Sequence, residues 1–205
     1  MLSIFKVNAN NLHFPLISKL IVIDPGHGGF DQGTSYLDIK EAPLNLAISL
    51  KIKYELEKLG AVVLMTREGN YDLSRPNAIY RKKSDFDNRI KLINNSNADL
   101  YLSVHMNYYI NSSYYGPQVF YTVENQDNEK IAEIIQKDLN DYTKTKRKIK
   151  INSSAHYMYG KLNVSGVLIE CGFLSNSSER AKLTNELYQT HLAKTIAKAI
   201  VRYFS

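Results

Sequence analysis

Three short segments of this sequence hold residue types suited to metal and acid–base chemistry, and each closes an apolar run. Leu20-Ile21-Val22-Ile23 leads into Asp24-Pro25-Gly26-His27-Gly28-Gly29, and Leu100-Tyr101-Leu102 into Ser103-Val104-His105-Met106-Asn107. Gly166-Val167-Leu168-Ile169 leads into Glu170-Cys171-Gly172-Phe173. Glu41 stands at the far end of the loop that leaves His27, just before a helical pattern begins. Two imidazoles and two carboxylates are the parts of a catalytic zinc site. Zinc takes His and Glu in a near-tetrahedral shell, keeps a position for water and lowers that water's pKa to about 7. A carboxylate outside the shell then takes the proton. The spacing is not His-Glu-x-x-His on one helix, so periodicity alone does not assign the roles.

Simpler readings exist for each residue. His27 in a Gly-rich turn could be an ordinary loop residue, and His105 at the end of an apolar strand a satisfied core histidine. Glu170 is less ordinary, because a buried carboxylate without a partner is costly. One shared location explains all three at once.

Several other motifs fail. Gly26-His27-Gly28 invites a dinucleotide reading, but Gly-x-Gly-x-x-Gly would need glycine where the chain has Asp31. No Walker A sequence is present. Cys171 could be a nucleophile with His27 or His105 as base. One step along a strand from Glu170 it faces the opposite side, which suits a small buried hydrophobe.

The elements that must position these residues come in an alternating order. Leu20–Ile23 reads as a buried strand stopped by Asp24-Pro25-Gly26. Pro43 suits the first turn of a helix with Leu44, Ala47, Ile48, Ile52, Leu56 and Leu59 on its apolar face, and Gly60 closes it. Strands are expected at 61–66, 100–105, 118–123 and 166–170, and helices at about 84–97, 127–142 and 187–204. This predicts a single-domain α/β fold with a central mostly parallel sheet flanked by helices on both faces. In such sheets ligands collect at the carboxyl ends of the strands. His27, His105 and Glu170 can therefore be neighbours despite gaps of 78 and 65 residues.

Composition narrows the class. The chain has 205 residues, 44% apolar and 22% charged, which is ordinary for one globular domain. No apolar run approaches the roughly 18 residues of a membrane span. Cys171 is the only cysteine, which excludes an internal disulfide framework and a zinc finger. Five of the positive charges behind the net +6 lie in Lys144-Thr145-Lys146-Arg147-Lys148-Ile149-Lys150. That is a local patch, a solvated face or a contact for a polyanionic surface, and not a nucleic-acid-binding surface. Residues 1–18 lack the parts of a signal peptide and read as a separate segment: a strand, a tag remnant or the first residues after a removed export signal. The catalytic domain is expected at 19–205.

Taken together, the sequence resembles the zinc-dependent N-acetylmuramoyl-L-alanine amidases of the Amidase_3 family from about Lys19 to the C-terminus. The ordered matches are Ile-Asp-Pro-Gly-His-Gly-Gly at 23–29, Glu41 with Asn45-Leu46, Met-Thr-Arg at 65–67, Asn88-Arg89 and Ala98-Asp99-Leu100. Ser-Val-His-Met-Asn at 103–107 and Leu-Ile-Glu-Cys-Gly-Phe-Leu-Ser-Asn at 168–176 complete the set. The segment from Lys83-Ser84-Asp85 to Arg89 is similar to the spore-cortex branch of endospore-forming bacteria.

The resemblance implies that His27, Glu41 and His105 bind Zn2+ and that Glu170 is the catalytic carboxylate. The implied reaction cleaves the amide joining N-acetylmuramic acid to L-alanine, so peptidoglycan muropeptides are the substrate. In the cortex branch this prepares muramic-δ-lactam and places the enzyme outside the cytoplasm, in the cell envelope of the developing spore. Asn107 and Arg89 are either substrate-side groups or braces of the sheet edge. The chain departs from the family at Glu41-Ala42-Pro43, where Glu-Lys-Asp is common, and at Val164-Ser165-Gly166, where a proline is common. The 65-residue step from His105 to Glu170 leaves no room for the autoinhibitory helical insertion of some division amidases. Control then falls to a regulatory protein partner or to timed expression. Two other classes stand beside this reading: a zinc hydrolase of another amide, and a wall-binding module inactive without a partner.

Overall fold

The computed structural model describes residues 14–152 and 157–205. Most of the N-terminal segment, residues 1–13, lies outside the described residues. Residues 14–18 form a turn whose Leu16 is fully buried and donates its backbone N–H to Leu59 O.

The apolar run at Leu20 forms β1 (Leu20–Pro25), buried from Ile21 onward. The loop after it carries a small antiparallel hairpin, β2 (Ser35–Tyr36) and β3 (Ile39–Lys40). α1 (Glu41–Lys58) continues with no break, so Glu41 is its first residue and Pro43 lies in its first turn, where a missing N–H costs nothing. Ile48, Ile52 and Leu56 bury its apolar stripe. β4 (Val62–Met65) comes after Gly60, and α2 (Arg81–Asn94) begins three residues earlier than its apolar spacing indicates. Next come β5 (Leu100–Asn107), β6 (Gln118–Tyr121), α3 (Asp127–Thr143) and the two-residue β7 (Lys150–Ile151). A 3-10 turn (Tyr159–Lys161) precedes β8 (Gly166–Phe173). α4 (Ser177–Leu183) and α5 (Glu186–Phe204) close the chain, capped by the side chains of Asn176 and Asn185.

Among the described residues the main sheet has six strands in the order β4-β1-β5-β8-β6-β7. β4, β1, β5 and β8 are parallel, and β6 reverses against β8. The mostly parallel α/β expectation therefore holds, with an antiparallel margin that the sequence does not signal.

Strand alternation sorts side chains onto two unequal faces. Ile21, Ile23, Leu100, Leu102, Val104, Val167, Ile169 and Cys171 pack into one large core with the buried stripes of α1, α3 and α5. The opposite face is thinner. There Val22, Tyr101 and Leu168 meet Ile93 of α2 together with Met158, Tyr159 and Leu162. Asp24, Ser103, His105 and Glu170 alternate onto that thin side, at the carboxyl end of the parallel strands.

Candidate metal centre and active site

Register places the two later residues. His105 and Glu170 are direct Cα partners in the parallel β5–β8 pair, so their side chains leave the same face. His27 reaches them through the turn after β1, where it adopts a left-handed conformation with φ 61°. That is uncommon for a non-glycine residue and must be held from outside. Two buried arginines hold it. Arg67 donates Nε–H to Pro25 O and Nη2–H to Gly26 O, each at 2.9 Å. Arg89 donates Nη1–H to Pro25 O at 3.0 Å and Nη2–H to His27 O at 2.7 Å. Arg89 is itself fixed by ion pairs to Asp24 at 2.6 Å and Asp85 at 3.0 Å.

Glu41 enters from the first turn of α1. His27 Nε2 lies 3.2 Å from its Oε1 and His105 Nδ1 2.9 Å from the same oxygen. One ligand atom from each of the three residues falls within 4.8 Å of the others, and the two imidazoles stand edge to face with centroids 5.0 Å apart. Thr34 N–H donates to Glu41 Oε2, while Met106 N–H and Asn45 Nδ2–H donate to Oε1. Asp31 Oδ1 lies 3.1 Å from the remaining nitrogen of His27, Nδ1. A carboxylate on the outer nitrogen is the usual way of orienting a ligating histidine.

Space is tight around the trio. A Cβ at Gly33, where φ is +68°, would fall 2.5 Å from Glu41 Oε2 and 2.7 Å from His27 Cδ2. A Cβ at Gly26 would fall 2.2 Å from His105 Cε1.

The electrostatics separate the two carboxylates. Burial works against charge on Glu41, but hydrogen bonds and charge from His105 and His27 outweigh it and hold the carboxyl well below its ordinary range. Burial also opposes charge on His27, yet Asp31 and Glu41 raise it to about 9. Glu170 moves the other way, pushed up to about 8 by burial and by the Glu41 charge. A carboxyl in that range exchanges a proton near neutral pH. Glu170 Oε2 is buried with no hydrogen-bond partner among the described residues. Glu170 and both histidines line one cavity of about 310 Å³, with Lys82 and Phe86 among its other walls.

Two imidazoles, an anionic carboxylate and an orphaned carboxylate oxygen fit a divalent cation of the zinc kind. The donor set matches, with one ligand atom from each of His27, Glu41 and His105 within 4.8 Å of the others.

Comparisons with known proteins identify the family. The family model described as N-acetylmuramoyl-L-alanine amidase, Amidase_3, matches residues 21–202. The chain belongs to the Amidase_3 family. It is 40% identical over 197 residues to the germination-specific N-acetylmuramoyl-L-alanine amidase of Bacillus subtilis (strain 168), covering 93% of this chain and 82% of that protein. The CwlD amidase of Clostridioides difficile, solved in complex with the GerS lipoprotein, superposes with a TM-score of 0.85 at 36% identity. That match covers 90% of this chain and 98% of the other. The N-acetylmuramoyl-L-alanine amidase of Clostridium difficile 630 gives a TM-score of 0.80 at 30% identity, covering 90% and 96% of the two chains.

Within this Amidase_3 domain the fold brings together all four site residues picked from the sequence. Arg89 proves to be a brace: its guanidinium nitrogens bond to Asp24, Asp85 and the carbonyls of Pro25 and His27. Asn107 lies just beyond a register shift in the β5–β8 pair, where its carbonyl accepts from Leu174 N–H. Cys171 is buried in the core on the opposite face, and burial, aided by the Glu170 charge, pushes its thiol far above the ordinary range. It is not poised as a nucleophile.

The sequence alone does not reveal the roles of Asp31, Arg67 and Tyr159. Asp31 sits four residues after His27, a spacing that could have drawn attention. Tyr159 is 54 residues from His105, and nothing local marks it.

Proposed function

We propose that this domain is a zinc-dependent amidase that hydrolyses the bond between N-acetylmuramic acid and L-alanine in peptidoglycan. The observation that carries the assignment of roles is the register of His105 with Glu170, which sets an unpartnered buried carboxylate oxygen beside the His27–Glu41–His105 trio. Zinc bound by the trio would supply Lewis acidity at neutral pH. His27 presents Nε2 and His105 presents Nδ1 toward Glu41, whose charge completes the donor set. Asp31 holds the outer nitrogen of His27, and Arg67 and Arg89 keep the loop carrying it from relaxing. Glu170 accepts the proton of the attacking water at Oε2 and delivers it to the departing amine of L-alanine. The catalytic unit runs from 19 to 205, and the thinly covered face of the sheet admits the substrate.

The likeness to a germination-specific amidase and to CwlD supports a place in spore cortex maturation, within the cell envelope. Among the described residues no helix is long and apolar enough to cross a membrane. That CwlD was solved with a lipoprotein supports control of this chain by a protein partner.

Mass spectrometry of purified peptidoglycan incubated with the zinc-loaded protein, with and without candidate partners, tests the reaction. Whole stem peptides beginning with L-alanine are the expected product; cleavage at any other amide would overturn the assignment. Glu170→Gln is expected to retain zinc and lose about 10²–10⁴-fold in turnover, whereas His27→Ala loses both. Wild-type turnover by Glu170→Gln would remove its role.

A further inference from the structure

Tyr159 opens the 3-10 turn on the thin face, and its hydroxyl is buried beside the cavity. It lies 3.3 Å from His105 Nε2 and 3.1 Å from Ser103 Oγ, and Ser103 Oγ lies 3.1 Å from Asp24 Oδ2. We infer that Tyr159 is a positioning residue for His105: its hydroxyl accepts a hydrogen bond from Nε2–H and thereby turns the Nδ1 lone pair toward Glu41 and the metal.

Proton counting fixes the direction. Arg89 and Thr66 surround Asp24 with donors, at 2.6 Å each, so its carboxylate can only accept. Ser103 must therefore donate to Asp24, which spends its single proton. Across the Ser103–Tyr159 contact only Tyr159 is then left to donate, and that spends the phenolic proton. The contact to His105 consequently requires hydrogen on Nε2. This holds whether or not a proton sits on Nδ1 in the metal-free site. With Nε2 so engaged, the neutral ring offers Nδ1, and that nitrogen is the one 2.9 Å from Glu41 Oε1.

His27 is set the opposite way, with Nδ1 toward Asp31 and Nε2 toward Glu41. The two imidazoles are thus held in opposite tautomers, each by its own carboxylate. Asp31 acts directly, and Asp24 acts through two hydroxyls. Outer-shell partners of this kind typically contribute about 10–100-fold to metal affinity. Asp24 also anchors Arg89, so one carboxylate fixes both the loop of His27 and the ring of His105.

The inference rests on zinc binding by His27, Glu41 and His105, and the test separates the two. Zinc affinity is measured by chelator competition for wild type, Tyr159→Phe and Ser103→Ala. Long-range ¹⁵N–¹H correlation spectra of the zinc-loaded proteins, labelled at histidine, report which ring nitrogen carries hydrogen. Wild type is expected to show His105 with hydrogen at Nε2 and His27 with hydrogen at Nδ1. Tyr159→Phe is expected to lose about 10–100-fold in zinc affinity and to shift the His105 signals alone. Ser103→Ala keeps the phenol and cuts only its tie to Asp24, so a smaller loss is expected; it also carries the test should Tyr159→Phe fail to fold. A Tyr159→Phe protein that melts lower yet binds zinc like wild type, with unchanged His105 signals, would reduce Tyr159 to packing and overturn the inference. Wild-type protein that takes up no zinc would remove the metal reading and the relay with it.

Discussion

Asp24 carries its charge in the interior because donors surround it: Thr66 and Arg89 at 2.6 Å and Ser103 at 3.1 Å. Burial alone would raise its carboxyl, but Arg89 above all, aided by Thr66, holds it below the ordinary range. Asp24→Asn would leave the buried Arg89 guanidinium short of a counter-charge, a change that costs about 3–5 kcal/mol where one partner of a buried pair is removed. Urea denaturation at about pH 7 checks this, and a cost within about 0.5 kcal/mol of zero would count against it. The pH dependence has a defined sign. A carboxylate whose pKa is depressed by folding adds stability that is present above its unfolded value, about 3.9, and is lost as pH falls through the folded one. Wild type should therefore lose this contribution on acidification, and the deficit of Asp24→Asn should shrink between about pH 7 and about pH 3.

At the scale of elements, the site depends on how closely the end of β1 packs against β5. Pro25 pairs with Val104, and Gly26 N–H donates to Val104 O at 2.9 Å, which sets residue 26 beside His105. A Cβ there would lie 2.2–2.6 Å from three atoms of the His105 ring, too close to accept without moving it. Gly26→Ala is thus expected to displace one ligand, lowering zinc affinity about tenfold or more, since the displaced ring is a direct ligand. A chelator titration matching wild type would show that the ring can yield without harm.

The strand ends that matter here were readable because each is an apolar run stopped by polar or glycine residues, as in Leu20–Pro25. Features set outside local patterning were not readable. β2, β3 and β7 have two residues each, too few for any period to register. The reversal of β6 against β8 and the approach of Tyr159 to Ser103 are set by packing between distant segments. α4 begins in the polar stretch Asn176-Ser177-Ser178-Glu179, too polar and too short to show an apolar period, and is capped by the Asn176 side chain.

For the whole molecule, the two faces of the sheet divide the work. Three helices and a continuous apolar core cover one face, while α2 and the 3-10 turn cover the other and leave the cavity at His27, His105 and Glu170 open. Stability resides mainly on the first side and chemistry on the second. The chemical side also concentrates charge: without a cation, burial and the nearby Glu41 charge together keep Glu170 from ionising. A divalent ion that binds the folded trio and not the unfolded chain must stabilise the whole domain by mass action. At a free concentration about 100 times its Kd the gain is about 2.7 kcal/mol. For a domain of this size each kcal/mol moves the melting temperature by about 2–4 °C, so zinc should raise it by about 5–10 °C and a chelator should reverse the rise. The shift should survive in Glu170→Gln, which keeps the trio, and vanish in His27→Ala, which breaks it. Calorimetric scans of the three proteins with and without zinc check this, and an equal rise in His27→Ala would place the ion elsewhere on the molecule.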